Sequence, residues 1–182
     1  MDRLHKASLV VALDAQLRSD GSWAGETHVQ KATFFLQRLT NVPLDFEFIL
    51  YKHGPFSFDL RDELTALRAQ GFLRLEPQYP YGPRLVPGEK SSLLQDACRE
   101  IVAENQHKIK FISGKLANKT VAGLERSATA LYVTVNDDVH PENRASRIVE
   151  LKPHISLEEA KSAVAEVDQI MAESKQLQLG AV

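Results

Sequence analysis

The spacing of apolar residues divides the chain into short periodic segments. Leu4, Leu9, Val10, Leu13 and Leu17 recur at helical intervals over 2–18, and the turn-rich Ser19-Asp20-Gly21-Ser22 ends that helix. A second helix is expected to open at Thr27, whose hydroxyl can cap free amides. It runs on Val29, Ala32, Phe35, Leu36 and Leu39, with Phe34 widening the buried side, until Asn41 and Pro43. Over 45–51, Phe46, Phe48 and Leu50 alternate with Asp45 and Glu47, the period of two of a half-buried strand. The segment 52–57 reads as a tight turn broken by Gly54-Pro55, with Ser57 as N-cap of a third helix. Leu60, Leu64 and Leu67 face inward on that helix, and Gly71 closes it. Residues 72–86 read as two short strands, kept short by Pro77, Pro80 and Pro83.

The second half is helical throughout. One helix is expected over 89–116 on Leu93, Leu94, Ala97, Ile101, Ile109, Ile112 and Leu116, and another over 120–135 on Val121, Leu124, Ala128, Leu131 and Val135. Pro141 opens a short helix that ends at Lys152-Pro153. Ser156 and Glu159 then form a capping box for a last helix with a narrow stripe of Leu157, Ala160, Val164, Val167 and Met171. Helix, helix, strand, helix and hairpin is the plan of a winged helix. The expected fold class is therefore mainly α with a small antiparallel sheet (α+β). A winged-helix-like region at 1–88 packs as one unit with a helical region at 89–175, and 176–182 forms a frayed tail.

Charge narrows the function classes. The 182 residues include 22 basic and 24 acidic ones, for a net charge of −2. Such a balance disfavours tight, charge-driven nucleic-acid binding and leaves only local patches. Arg61, Thr65 and Arg68, at offsets of four and three, share one face of the third helix, which reads as free of acidic residues. Arg74 and Arg84 lie in the hairpin, and Lys52 and His53 precede the helix. Lys108, Lys115 and Lys119, together with Lys110, fall in the interval 105–124, which holds no acidic residue. These side chains are candidates for a protein partner, for DNA phosphates or for guanine edges. Each also fits a solvated helix face, with lysine stems lying along its edge.

Signatures of chemistry are scarce. The six histidines are scattered without metal-ligand spacing, so no metal is expected, and no cofactor motif is present. Ser113-Gly114-Lys115 lacks the upstream glycine of a phosphate loop. Cys98 sits among apolar helix positions and reads as a core residue, and Glu125 and Arg126 read as an inward polar pair. A single cysteine, no long apolar run and no signal-peptide order give a reduced, cytoplasmic, non-enzymatic protein as the expectation.

Four stretches carry a family resemblance: VQKATFFLQ at 29–37, FILYKHGPFSFDLRDELTALRAQGFL at 48–73, LERSATALYV at 124–133 and RIVELKPHISLEEAKSAV at 147–164. Together they resemble the YwgA-like family of prokaryotic proteins. They are also similar to the toxin-binding C-terminal domain of DarG antitoxins and, more distantly, to Panacea antitoxin domains. The pattern positions are Gln30, Lys31, Phe34, Tyr51, Gly54, Pro55, Ser57 and Leu60, with Leu124 and Glu125 in the later helix. Gly54, Pro55, Ser57 and Leu60 have structural readings, whereas Gln30 and Lys31 are polar groups on an apolar helix and need partners. His53 stands where the pattern has an aromatic residue. With no macrodomain in front, the DarG glycohydrolase activity is not implied. The resemblance implies a winged-helix-like module that binds a protein toxin. The expectation is a non-catalytic, antitoxin-like or defence and regulatory accessory protein acting through protein–protein contacts. The alternative is a winged-helix DNA-binding regulator with weak affinity for duplex DNA. Self-association into a homodimer would use the last helix.

Overall fold

The computed structural model describes residues 1–79 and 81–179 and is mainly α, with two small antiparallel hairpins. The described elements are α1 (Arg3–Ser19), α2 (Glu26–Thr40), β1 (Ile49–Tyr51), β2 (Gly54–Phe56), α3 (Phe58–Ala69), β3 (Leu73–Gln78) and β4 (Tyr81–Pro87). They continue with α4 (Ser91–Ala97), α5 (Arg99–Leu116), α6 (Val121–Asn136), α7 (Arg144–Leu151) and α8 (Leu157–Leu179). The order is helix, helix, hairpin, helix, hairpin, so two strands stand where the sequence pattern gives one.

One hydrophobic core runs through the described chain, and α2 lies inside it against α1, α3, α5, α6 and α8. Phe34, Phe35, Leu36 and Val29 on α2 are completely buried. Phe34 meets Phe48 at 5.0 Å and Tyr132 at 6.2 Å between ring centroids, so this pattern residue is a packing residue. Each such side chain stabilises the fold by roughly 1.5–3 kcal/mol. Helix α1 is buried nearly all round by α2, α4, α5 and β4. It therefore carries Asp14 into the core, where burial pushes the carboxyl up to about 7 against the pull of Arg18 at 3.2 Å.

Several local expectations meet their geometry. Ser57 caps α3, its Oγ accepting from the Leu60 amide at 3.2 Å, and Leu60, Leu64 and Leu67 are buried. Asn41 ends α2 in the left-handed region at φ 54°. Ser156 and Glu159 cap each other's amides at 2.9 and 3.3 Å. Of the α8 stripe, Ala160 and Val167 are buried and Val164 and Met171 partly so, against α2, α5, α6 and α7, whereas Leu157 at the helix start is exposed.

Other elements differ from expectation, each for a visible reason. Only the end of 45–51 becomes strand, and it pairs with β2, inside the segment expected as a turn, in the register Ile49↔Phe56 and Tyr51↔Gly54. There are thus two separate sheets. Residues 45–48 keep the period of two, with Phe46 and Phe48 buried, but a side chain takes the place of a strand partner. Gln37 donates Nε2–H to the Phe46 carbonyl and accepts its amide through Oε1, both at 2.9 Å. The helix expected over 89–116 breaks at Cys98 into α4 and α5, which lets both pieces lie along α1. Cys98 is buried there, whereas Leu93 is 64% exposed. Val121 and Val135, at the two ends of α6, also face solvent. Thr27 is not the cap of α2; Gly25 precedes the helix and makes no side-chain cap bond. The expected frayed tail is helix up to Leu179, because Ser174 Oγ and Gln178 Nε2 both donate to the Leu39 carbonyl, the latter at 2.6 Å. Pro80 and residues 180–182 lie outside the described residues. No described helix is long and apolar enough to cross a membrane.

Candidate functional site

A three-residue strand pair is too short to hold itself in place, since isolated hairpins are marginal in water. The β1–β2 hairpin is instead gripped by side chains from α2, α6 and the end of α7. Gln30 bonds both backbone groups of Ser57: its Nε2 donates to the carbonyl at 2.9 Å and its Oε1 accepts from the amide at 3.0 Å. Lys31, only 2% exposed, donates from Nζ to the Pro55 carbonyl at 2.8 Å. Lys152 donates to the Tyr51 carbonyl and, at 2.7 Å, to the Lys52 carbonyl. Both ammonium groups are buried, and Glu125 is the carboxylate buried with them. Its Oε1 lies 3.9 Å from Lys152 Nζ and accepts from His154 Nε2 at 3.1 Å, while Oε2 lies 3.6 Å from His53 Nδ1.

The electrostatics follow from this burial. Removal from water pushes Lys31 down to about 8, opposed by Glu125 and reinforced by the like charge of Lys152. Desolvation also lowers Lys152. Gly54 sits where the hairpin meets α6, at φ +84°, and a Cβ there would come within 3.1 Å of Thr129 Oγ1. Both facts explain why the turn uses glycine. In front of the grip is a cleft of about 280 Å³ bounded by Gln30, Lys31, Tyr51, His53, Gly54 and Phe56.

The outer face of the same hairpin is aromatic. Tyr51, Phe56 and Phe58 form a triangle of rings with centroids 5.2–5.9 Å apart. Tyr51 is 45% and Phe58 40% exposed, and Ile49 beside them is exposed as well. The Arg61 guanidinium stacks over Phe58 at 4.9 Å, because i and i+3 share a helix face. Beneath this face the backbone is fixed by Gln30, Lys31 and Lys152. The patch is therefore preorganised, and aromatic rings with arginine are what protein interfaces favour.

The residues of the sequence pattern come together here: Gln30, Lys31, Tyr51, Gly54, Pro55, Ser57 and Glu125 all belong to the grip or to the hairpin it holds. Lys52 and His53 form the hairpin tip and line the cleft. The basic candidates do not form one surface. The face of α3 read as acid-free has an internal partner, since Arg61 bonds Asp62 at 3.1 Å. A guanidinium is long enough to reach a neighbour that helical projection places elsewhere. Arg68 donates to Thr65 Oγ1 at 3.0 Å, and Thr65 Oγ1 in turn donates to the Arg61 carbonyl at 3.0 Å. Arg74 and Arg84 share Glu76. Lys115 and Lys119 reach Glu173 and Glu166 of α8, each at 2.5 Å, so the acid-free interval is neutralised from a distant helix. Lys108 bonds Asn105 at 3.2 Å. The expected inward pair at 125–126 splits: Glu125 turns in, and Arg126 pairs with Glu159 at 3.1 Å.

Sequence reasoning missed Lys152, His154, Phe56 and Phe58 as site residues. Lys152 follows the last turn of α7 and carries no local signal. Phe58 did have one, because it lies three and seven residues before Arg61 and Thr65 and off the Leu60, Leu64, Leu67 stripe. Among the described residues no three His, Cys, Asp or Glu side chains gather as metal ligands. A cation near Glu125 would also meet the ammonium groups of Lys31 and Lys152. No protein-family model and no curated protein matches the chain.

Proposed function

We propose that this protein is a non-catalytic binding module that docks a protein partner on the aromatic face of the β1–β2 hairpin and the start of α3. The observation that carries this reading is the solvent-facing Tyr51–Phe56–Phe58 triangle with Arg61 over it, mounted on a backbone held by buried Gln30, Lys31 and Lys152. Large rings at partial exposure would lose apolar surface to a partner, and a fixed backbone lowers the ordering cost of binding. The resemblance to YwgA-like proteins and antitoxin domains supports the same class, an antitoxin-like or regulatory accessory role. The partner chemistry that fits is an apolar segment with a carboxylate for Lys52.

Duplex DNA is the less supported ligand. Arg61, Arg74, Arg84, Lys115 and Lys119 already have carboxylate partners, and a phosphate would have to compete with each of them. The deciding experiment compares capture of a stoichiometric partner from the protein's own cell extract by the native chain and by Tyr51→Ala/Phe58→Ala. Loss of the partner at unchanged melting temperature is the expected result. Equal capture by both proteins refutes the assignment of this face, and a salt-sensitive shift of random duplex DNA with no captured protein refutes the class.

A further inference from the structure

The β1–β2 hairpin has two edges, and only one of them is closed. An antiparallel ladder turns the amide and carbonyl of alternate residues toward the paired strand and those of the residues between them outward. Pro55 has no N–H, so Leu50↔Pro55 is the pair whose groups point out, between the bonded pairs Ile49↔Phe56 and Tyr51↔Gly54. On the β2 side the outward groups meet α2: the Pro55 carbonyl accepts from Lys31, and both backbone groups of Ser57 bond Gln30. On the β1 side the matching groups are the amide and carbonyl of Leu50. Among the described residues, no side chain and no further strand bonds them, and the same holds for the backbone groups of Phe48.

This edge also faces outward. β2 lies against α2 and α6, whereas the element packed on β1 is β2 itself. Ile49 is 41% and Tyr51 45% exposed, with half-buried Leu50 between them. A bare edge is a template for another strand, and proteins ordinarily blunt one with a charge or a proline inside it. β1 contains neither. The charges stand just outside it, Glu47 before and Lys52 after, both exposed and without an ion-pair partner among the described residues.

The template is held at both ends. Gln37 bonds the amide and carbonyl of Phe46, each at 2.9 Å, and Lys152 holds the Lys52 carbonyl at 2.7 Å. Alternation places Ile49, Tyr51 and Phe56 on one face of the hairpin, since 49 and 51 are two apart and 49 stands across from 56. Side chains of an incoming strand opposite Ile49 and Tyr51 would therefore fall beside the ring triangle.

We infer that β1 accepts an extended segment of the protein partner as a third, antiparallel strand, apolar at alternate positions, with an acidic residue against Lys52 and a basic one against Glu47. The inference rests on the docking role proposed for this hairpin and adds the backbone as a recognised element. Pairing of this kind draws affinity from main-chain bonds and specificity from alternate side chains. The antiparallel sense lets Leu50 exchange both of its bonds with a single residue. A third strand also gives the short hairpin the support that two strands lack in water.

The probe is the acetylated and amidated peptide Glu-Ile-Thr-Val-Thr-Lys, whose residues from first to last would face Lys52 back to Glu47. Calorimetry and amide hydrogen exchange on the full chain read its binding. Saturable binding is expected, with protection of the Leu50 amide, which should exchange freely in the unbound chain. Methylating the amide nitrogen of the first Thr, the residue opposite Leu50, should weaken binding about tenfold. Leu50→Pro removes the facing donor without touching a bond to Pro55, and it should weaken binding about tenfold at unchanged melting temperature. No heat and no protection with about 1 mM peptide overturns the inference, as does a Leu50 amide already protected in the free chain. Equal binding of the methylated peptide overturns the strand and leaves docking on the ring face standing, which Tyr51→Ala/Phe58→Ala tests separately. A dimer in sedimentation that Leu50→Pro dissolves makes a second copy the occupant and overturns the assignment to a different partner.

Discussion

The β1–β2 hairpin has three residues in each strand, the β3–β4 hairpin six and seven, and different forces hold the two in place. The long hairpin closes its own ladder from Leu73↔Pro87 to Gln78↔Tyr81, buries Leu73, Leu85 and Val86, and carries its ion pairs around Glu76 on the surface. The short one takes its position from Gln30, Lys31 and Lys152, whose polar ends are buried with Glu125. Charges of the same kind are therefore peripheral in one hairpin and structural in the other. Burial decides which, because an exposed pair is worth about 0–1 kcal/mol and a buried charge left unpaired costs several times that.

Removing the shared carboxylate is the harshest test of this contrast. Glu125→Gln leaves two buried ammonium groups without a counter-charge and should cost about 3–5 kcal/mol in urea unfolding. A loss as small as that of a surface pair would remove the distinction between the hairpins. Next comes pH. Lys31 titrates at about 8 in the folded chain against 10.5 when unfolded, so the unfolded state binds more protons between those values. Stability should accordingly rise with pH through that window, by roughly 3 kcal/mol at most from Lys31, and Lys31→Met should flatten the rise, leaving the part that Lys152 contributes. The long hairpin answers at the other end of the scale. Its bond to Arg84 holds Glu76 below the ordinary carboxylate range, and the stability it contributes is present at neutral pH and lost as pH falls through that lowered value. A pH series comparing Glu76→Gln with the native chain separates the two responses.

Gln30→Ala strips Ser57 of partners for both backbone groups and should cost about 2–3 kcal/mol in the same denaturation assay. It should also release the ring triangle, so that partner capture falls along with stability. The smallest effect belongs to Arg74→Ala, within about 0.5 kcal/mol. A larger loss there would mean that the long hairpin too depends on its charges.

What the sequence made legible was local. Helix periodicity, the Ser57 and Ser156 caps and the left-handed stop at Asn41 are contests among residues a few places apart, and they resolve as physical chemistry dictates. Gln30 and Lys31 stood out as polar groups on an apolar helix, but their partners lie 27 and 24 residues away, and Lys152 reaches 101 residues back to Tyr51. No periodicity encodes such distances. The basic interval 105–124 misled for the same reason, since its counter-charges Glu166 and Glu173 arrive on α8. The alternation at 45–48 reported burial correctly, yet could not reveal that an amide side chain would replace a strand. Phe58 was legible in principle, as a large ring on the polar side of α3.

The bond from Ser174 to the Leu39 carbonyl closes the end of α2 across 135 residues of sequence. On a translating ribosome, at about 5–20 residues per second, that donor follows its acceptor by on the order of ten seconds. For that interval the central helix of the core has emerged with its final turn uncapped and its apolar sides waiting for α5, α6 and α8. The core is closed by α8, far along the chain from α2, so a chain stopped before Ser174 would expose a nearly finished core to whatever chaperone or protease is at hand.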